Sequence, residues 1–229
     1  MAKLVLMSAL ALAAPDLLAQ DVAPDALLRA VTAGVIDQIK QDQELRVTSP
    51  ANIAALVEDR IVPLFDFVHM TRLAMARNWR VATPDQQALL TAEFKNLLVR
   101  TYSTALAKYR GEAIEFKRLR AAPSATEVTV KSEVEQPGKE RMTLNYEMQM
   151  TPAGWKIYDV NVAGVRLVTT YREVFAEKVH DRGVNGLIKF LADGNRAGDS
   201  TFNSVKASFW EKSRLMYAIF QNAIQSGAR

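Results

Sequence analysis

The residues able to do chemistry in this 229-residue chain are few. Its two histidines, His69 and His180, are far apart in sequence, and neither belongs to an HExxH motif or a clustered ligand set. There is no cysteine, which excludes disulfides, thiol chemistry and cysteine-based zinc sites. No G-x-S-x-G elbow is present. Gly183-Val184-Asn185-Gly186 has the wrong spacing for a phosphate-binding loop and reads as a helix break. Glu133 and Glu135 share one face of a strand, which reads as a solvated face and not as a paired-carboxylate site. Asp159 is the one acid set among apolar residues of a strand. As a general base it would need desolvation and a substrate within reach. With no histidine or second acid near it, the plainer reading is a pair with a nearby arginine or a cap on backbone groups.

The apolar residues carry more pattern. The stretch from Gly154 to Phe175 begins as a strand and ends as a helix, with Gly164 at the join. Strict alternation puts Trp155, Ile157, Asp159 and Asn161 in one row and Tyr158, Val160 and Val162 in the other. The helical half places Leu167 or Val168, Tyr171 and Phe175 near one face. The preceding strand offers Met142, Leu144, Tyr146, Met148 and Met150 on one side, and methionine adapts to irregular apolar partners. A sheet row and a helix row meeting at this corner enclose an apolar space. Pattern alone leaves open whether the protein's own helices or lipid tails fill it. The candidate lining is Met142, Leu144, Tyr146, Met148, Tyr158, Val160, Val162, Val168, Tyr171 and Phe175, with Tyr102 and Leu106 from the long helix. Arg166 and Arg172 are candidates for the mouth.

The elements that must position these rows are legible in order. Pro24–Leu45 has helical spacing at Leu28, Val31, Val35 and Ile39. Ser49-Pro50 opens a second helix carrying Ile53, Leu56, Val57 and Ile61. Asp66 caps a third, with Met70, Leu73 and Ala74 inward. Thr83-Pro84-Asp85-Gln86 starts a long helix whose stripe runs Leu90, Phe94, Leu97, Thr101, Ala105 and Tyr109, with Gly111 at its end. The period then changes to two. Ala113–Leu119, Thr126–Gln136 and the Met142–Met150 run read as strands, with Pro137-Gly138 as a turn, and the strand from Trp155 completes a meander. Helix resumes at about Val165, breaks at Gly183 and restarts over Val184–Leu191. Gly194–Asp199 is a polar joint, and Ser200–Gln225 a last helix. This order predicts an α+β fold: a four-stranded antiparallel sheet, helices on one face, and an extra C-terminal helix. That last helix either docks on the body or binds a partner or membrane surface.

Net charge is +4 and 49% of residues are hydrophobic, an ordinary globular composition. The mild basicity permits contact with anionic lipid surfaces but lacks the Lys/Arg clustering of nucleic-acid binding. Lys3 followed by the apolar run Leu4–Ala14 reads as an export signal, too short to span a bilayer. Cleavage after Ala19 gives a leader over 1–19, a domain over 20–196 and an extension over 197–229. With no cysteine after the run, lipoprotein anchoring is excluded. The expected compartment in a bacterium is the periplasm.

Three segments together resemble one family: Ile61–Leu106, Trp155–Phe175 and Gly183–Arg196. Their motifs are Pro63…Phe65-Asp66-Phe67…Met70-Thr71…Asn78-Trp79, then Phe94…Leu98…Tyr102, then Tyr158-Asp159-Val160…Gly164-Val165…Tyr171-Arg172…Phe175. Over roughly Ala23 to Arg196 the chain is similar to the MlaC, or toluene-tolerance, family of periplasmic phospholipid-binding proteins. Ala76 stands where that family often has glycine. Arg166 and Thr170 stand where serine and asparagine are common, and the residues after Arg196 extend past the usual end. The resemblance implies an α+β fold with a sheet like that of the NTF2 (cystatin-like) superfamily, and the failed search for catalytic motifs leaves no enzyme activity and no cofactor expected. It implies a carrier that moves phospholipid between an outer-membrane lipoprotein–porin complex and an inner-membrane ABC transporter. A sister group is linked to hopanoid lipids, and the motifs do not separate the two.

Overall fold

In a computed structural model of the chain, the described residues are 22–41, 50–106, 111–122, 124–135 and 141–197. The expected leader, the Pro137-Gly138 turn, Tyr109 and the helix from Ser200 lie outside them. Four helices come first: α1 (Pro24–Gln41), α2 (Pro50–Arg60), α3 (Phe67–Met75) and α4 (Pro84–Leu106). Short 3-10 turns at Val62–Leu64 and Ala76–Val81 flank α3. The strands follow as β1 (Ala113–Phe116), β2 (Glu127–Glu135), β3 (Met142–Thr151), β4 (Gly154–Val162) and β5 (Val165–Arg166), and α5 (Leu167–Ala197) ends the described chain. The sheet is antiparallel and runs in sequence order, β1 to β5.

Local chemistry explains the helix starts. Asp66 caps α3, its Oδ1 accepting from the His69 amide at 2.8 Å. Thr83 and Gln86 form a reciprocal capping box at the head of α4: Gln86 N donates to the Thr83 hydroxyl at 3.3 Å, and Thr83 N donates to Gln86 Oε1 at 2.9 Å. The stripe of α4 is buried as its spacing predicts, with Leu90, Phe94 and Leu97 fully inside. Phe94 meets Tyr171 and Phe175 edge-on, at ring-centroid distances of 5.0 and 5.1 Å.

Three expectations change. The helix at Val165 starts two residues later, because Val165–Arg166 turn back on β4 as a short fifth strand. Ala163 and Gly164 make that two-residue turn, both at positive φ (50° and 91°), as tight hairpins of the right twist require. Secondly, α5 does not stop for a polar joint at Gly194. It kinks at Gly183 (φ 66°) and runs on to Ala197, held where Arg100 donates to the Gly194 carbonyl at 2.7 Å.

The third change is in β4. Pairing with β3 is regular from Val162↔Leu144 to Asp159↔Glu147, then slips so that Ile157, not Tyr158, faces Met148. Tyr158 is a β-bulge, the extra residue in one strand. Trp155 and Ile157 therefore share a face with Val160 and Val162, and strict alternation fails at this point. The edge of β4 is also covered. Asp66 N donates to the Ile157 carbonyl at 2.8 Å, Gln149 donates to Asp66 Oδ2 at 2.8 Å, and Lys156 donates to the Pro63 carbonyl at 2.6 Å.

Ala76 closes α3 with φ 48° and ψ −124°, a conformation that glycine adopts freely and alanine does not. Ala76→Gly is expected to stabilise the protein by about 1 kcal/mol, the released strain exceeding the added chain entropy. That corresponds to a rise of roughly 2–4 °C in the unfolding midpoint. A midpoint that fell would show that this backbone is not strained.

Candidate functional site

The buried apolar residues form three clusters. One joins α3, α4 and α5 to the sheet end around Met142 and Val162. The second packs Leu28 of α1 against Phe116, Val130, Met148, Trp155 and Ile157. The third ties α1 and α2 to Val99 of α4. A cavity of about 220 Å³ lies where they meet. Its floor is the sheet, through Leu144, Tyr146, Val160 and Val162. Leu98, Val99 and Tyr102 of α4 form one wall. Val57 of α2 with Ile61 and Val62 forms another, and Phe65, Phe67, Met70 and Leu167 complete it. The lining is apolar almost throughout. For scale, an engineered apolar cavity of roughly 150 Å³ stays dry and takes up benzene.

The bulge makes this floor. It keeps Val160 and Val162 on the same side as Ile157, so the face runs unbroken from buried core to cavity. The two phenols at the cavity carry no charge. Burial pushes the Tyr102 hydroxyl well above its ordinary range, with the neighbouring Tyr171 phenol adding to the effect. Burial likewise raises Tyr146.

Among the twelve candidate lining residues, Tyr102, Leu144, Tyr146, Val160 and Val162 meet at the cavity. The others do not line it. Met142, Tyr171 and Phe175 are closed core, and Val168, though buried, borders the polar pocket of Arg166. Met148 is fully buried beneath the second cluster, and Leu106 packs on the third. Tyr158 is turned away by its own bulge and stacks on His69, ring centroids 4.6 Å apart. The lining residues outside those twelve sit on α2, α3, α4 and their joints, with Leu167 at the head of α5. They could have been found only by knowing that the three clusters fail to merge.

Arg166 and Arg172 stand in a separate, polar pocket with His69, Tyr158, Asp159 and Glu127. Leu167, between the arginines, faces the apolar cavity. Asp159 is 2% exposed and engaged through both oxygens. Its Oδ1 accepts from Val160 N at 2.9 Å and Val168 N at 3.1 Å, and its Oδ2 accepts from Arg166 Nε at 2.8 Å. Both plain readings of this acid hold at once: it pairs with an arginine and caps the first turn of α5. Three of its roughly four acceptor positions are thus taken by this chain's own donors. Among the described residues no group of three or more His, Asp or Glu is placed to hold a metal ion.

Fold and site thus define a class: an α+β domain whose sheet and helices hold an apolar cavity between separately packed clusters. A family model described as MlaC protein matches residues 29–193. The chain belongs to the MlaC family. It is 22% identical over 185 residues to the toluene tolerance protein ttg2D of Pseudomonas putida, covering 78% of this chain and 86% of that one. A structure from Ralstonia solanacearum, described as a phospholipid-binding protein in complex with a phospholipid, superposes with a TM-score of 0.71. It is 39% identical and covers 77% of this chain and 98% of its own.

Asp159→Asn is expected to lower stability by about 1.5–3 kcal/mol, the range for a buried hydrogen bond to a charged group. Urea unfolding measures this. An unchanged midpoint would mean that the carboxylate does not anchor α5.

Proposed function

We propose that the protein is a phospholipid carrier that holds acyl chains in the apolar cavity and hands them between membranes. The observation that carries this reading is the cavity itself: an uncharged space floored by β3 and β4, in a chain 39% identical to a protein whose structure contains a phospholipid. The acyl chains rest on Val160, Val162 and Leu144 and against Tyr102 and Leu98. The headgroup stays toward solvent. The protein works in the periplasm after loss of its leader, receiving lipid from or delivering it to an inner-membrane ABC transporter and an outer-membrane lipoprotein–porin complex.

Magnitudes favour direct hand-over. Two acyl chains hold on the order of 30 methylenes, and at about 0.8 kcal/mol each their full burial approaches 24 kcal/mol. That exceeds the practical ceiling of roughly 18–21 kcal/mol for non-covalent affinity. Part of the gain is therefore offset by ordering the chains and by parting the cavity walls. Scaling from benzene, a space of this size encloses under a dozen carbons, so two full chains require the clusters to separate. Release of such a ligand into water is slow, and docking to a membrane partner supplies the alternative apolar surface.

Protein purified from cells without detergent is expected to yield a two-tailed phospholipid on organic extraction and mass spectrometry. A clean extract from gently handled material would sink the proposal. Val160→Glu, which puts a charge on the cavity floor, is expected to reduce extracted lipid at least tenfold while circular dichroism stays native. Unchanged lipid content would remove Val160 from the binding surface.

A further inference from the structure

The apolar cavity has a capacity as well as a lining. Its volume is about 220 Å³, against roughly 150 Å³ for an engineered space that takes up benzene. On that scale it holds about nine carbons. Every described residue of its wall is apolar or a phenol, and no charged side chain is among them. The phenols direct their hydroxyls at the protein. Tyr102 is hydrogen-bonded to Tyr171, and Tyr146 is directed at Ser132, which is fully buried.

That wall decides what enters. An ester or a charged head has no partner inside, and burying a polar group unpaired is costly. Only hydrocarbon therefore goes in, and the polar end stays outside. Ile61, Val62 and Phe65 in the wall are half-buried, so solvent reaches the space on their side. A second chain would need as much room again, and the clusters around the cavity have none to give. Phe94, Met148 and Ile53, one in each cluster, are fully inside.

We propose that the cavity as it stands is a one-chain site for monoacyl amphiphiles, whose single tail enters to a depth of about nine carbons. The inference rests on the carrier reading and adds a second class of cargo, lysophospholipids or free fatty acids. Hydrolysis of one ester of a diacyl lipid consumes a water and gives one of each, so deacylation supplies this cargo. A diacyl lipid enters by parting the clusters; a single tail enters without parting them.

The test titrates the full-length protein, freed of lipid by detergent exchange and then of detergent, by calorimetry. The ligands are hexanoyl-, octanoyl-, decanoyl- and dodecanoyl-lysophosphatidylcholine, each below its micelle concentration. Affinity is expected to rise roughly fourfold for each methylene up to decanoyl and then to level off, with dodecanoyl within about twofold of decanoyl. A rise of roughly fourfold per methylene that continues through dodecanoyl would overturn the one-chain capacity, as would an affinity indifferent to chain length. Leu98→Ala enlarges the space and is expected to move the levelling-off to dodecanoyl. Val57→Phe fills part of it and is expected to move it down to octanoyl, each with native circular dichroism. A levelling-off that neither change moves would show that it does not arise in this cavity. Decanoate titrated beside decanoyl-lysophosphatidylcholine separates the sources, the tighter binder being the cargo. Two-tailed lipid in the cell extract beside a chain series that never levels off would overturn this inference and leave the carrier reading standing. A clean extract with no tail binding at all would remove both.

Discussion

One inserted residue sets the geometry on which the rest of this molecule depends. Without the bulge at Tyr158, the residues on either side of it in β4 would alternate in a single phase. Trp155 and Ile157 would then face away from Val160 and Val162, and one of these pairs would leave the apolar face. With it, all four join the Met142–Met150 row of β3. The same insertion turns Tyr158 outward onto His69 and brings Asp159 to the start of α5. Asp159 then fixes the helix to the strand by accepting from both Val168 N and the Arg166 side chain.

An apolar pocket left between packed clusters needs a reason, because interiors pack as densely as organic crystals. The three clusters explain how the space persists. Each is closed on its own: the α3–α4–α5 unit through Phe94, Tyr171 and Phe175, the far sheet through Met148 and Ile157, the α1–α2 unit through Ile53 and Val57. None can fill the gap without unpacking its own interior. A ligand that enters recovers the missing contacts, so occupancy and stability are linked.

Much of this was legible in the sequence, for identifiable reasons. The Asp66 cap and the Thr83–Gln86 box are local chemistry, and both form as written. The alternation of β2 and the stripe of α4 are periodic, and burial follows them, while in β3 it follows at Met142 and Met148. The bulge was not legible, because a one-residue insertion leaves no mark in composition and is fixed only by pairing with β3. From that one error came the misplacement of Tyr158. Tyr171 and Phe175 lie off this cavity for a different reason: periodicity shows that a helix face is buried, but not whether the space opposite is filled. Phe94 fills it here. Val57 and Ile61 were read simply as part of a helix stripe, and with Leu98 they line the space that is not filled.

The first turn of α5 shows how the two pockets are kept chemically apart. Arg166, Leu167 and Val168 are consecutive, yet Leu167 faces the apolar cavity while its neighbours face the polar pocket. A guanidinium this close to an apolar space would cost several kcal/mol if it turned inward unpaired. Asp159 prevents that by holding Arg166 Nε on the polar side and the Val168 amide in the helix start. Charge is thereby confined to one side of a single helical turn, and the lining of the cavity on the other side stays apolar. The acid that first looked like a candidate base is the partition between a polar site and an apolar one.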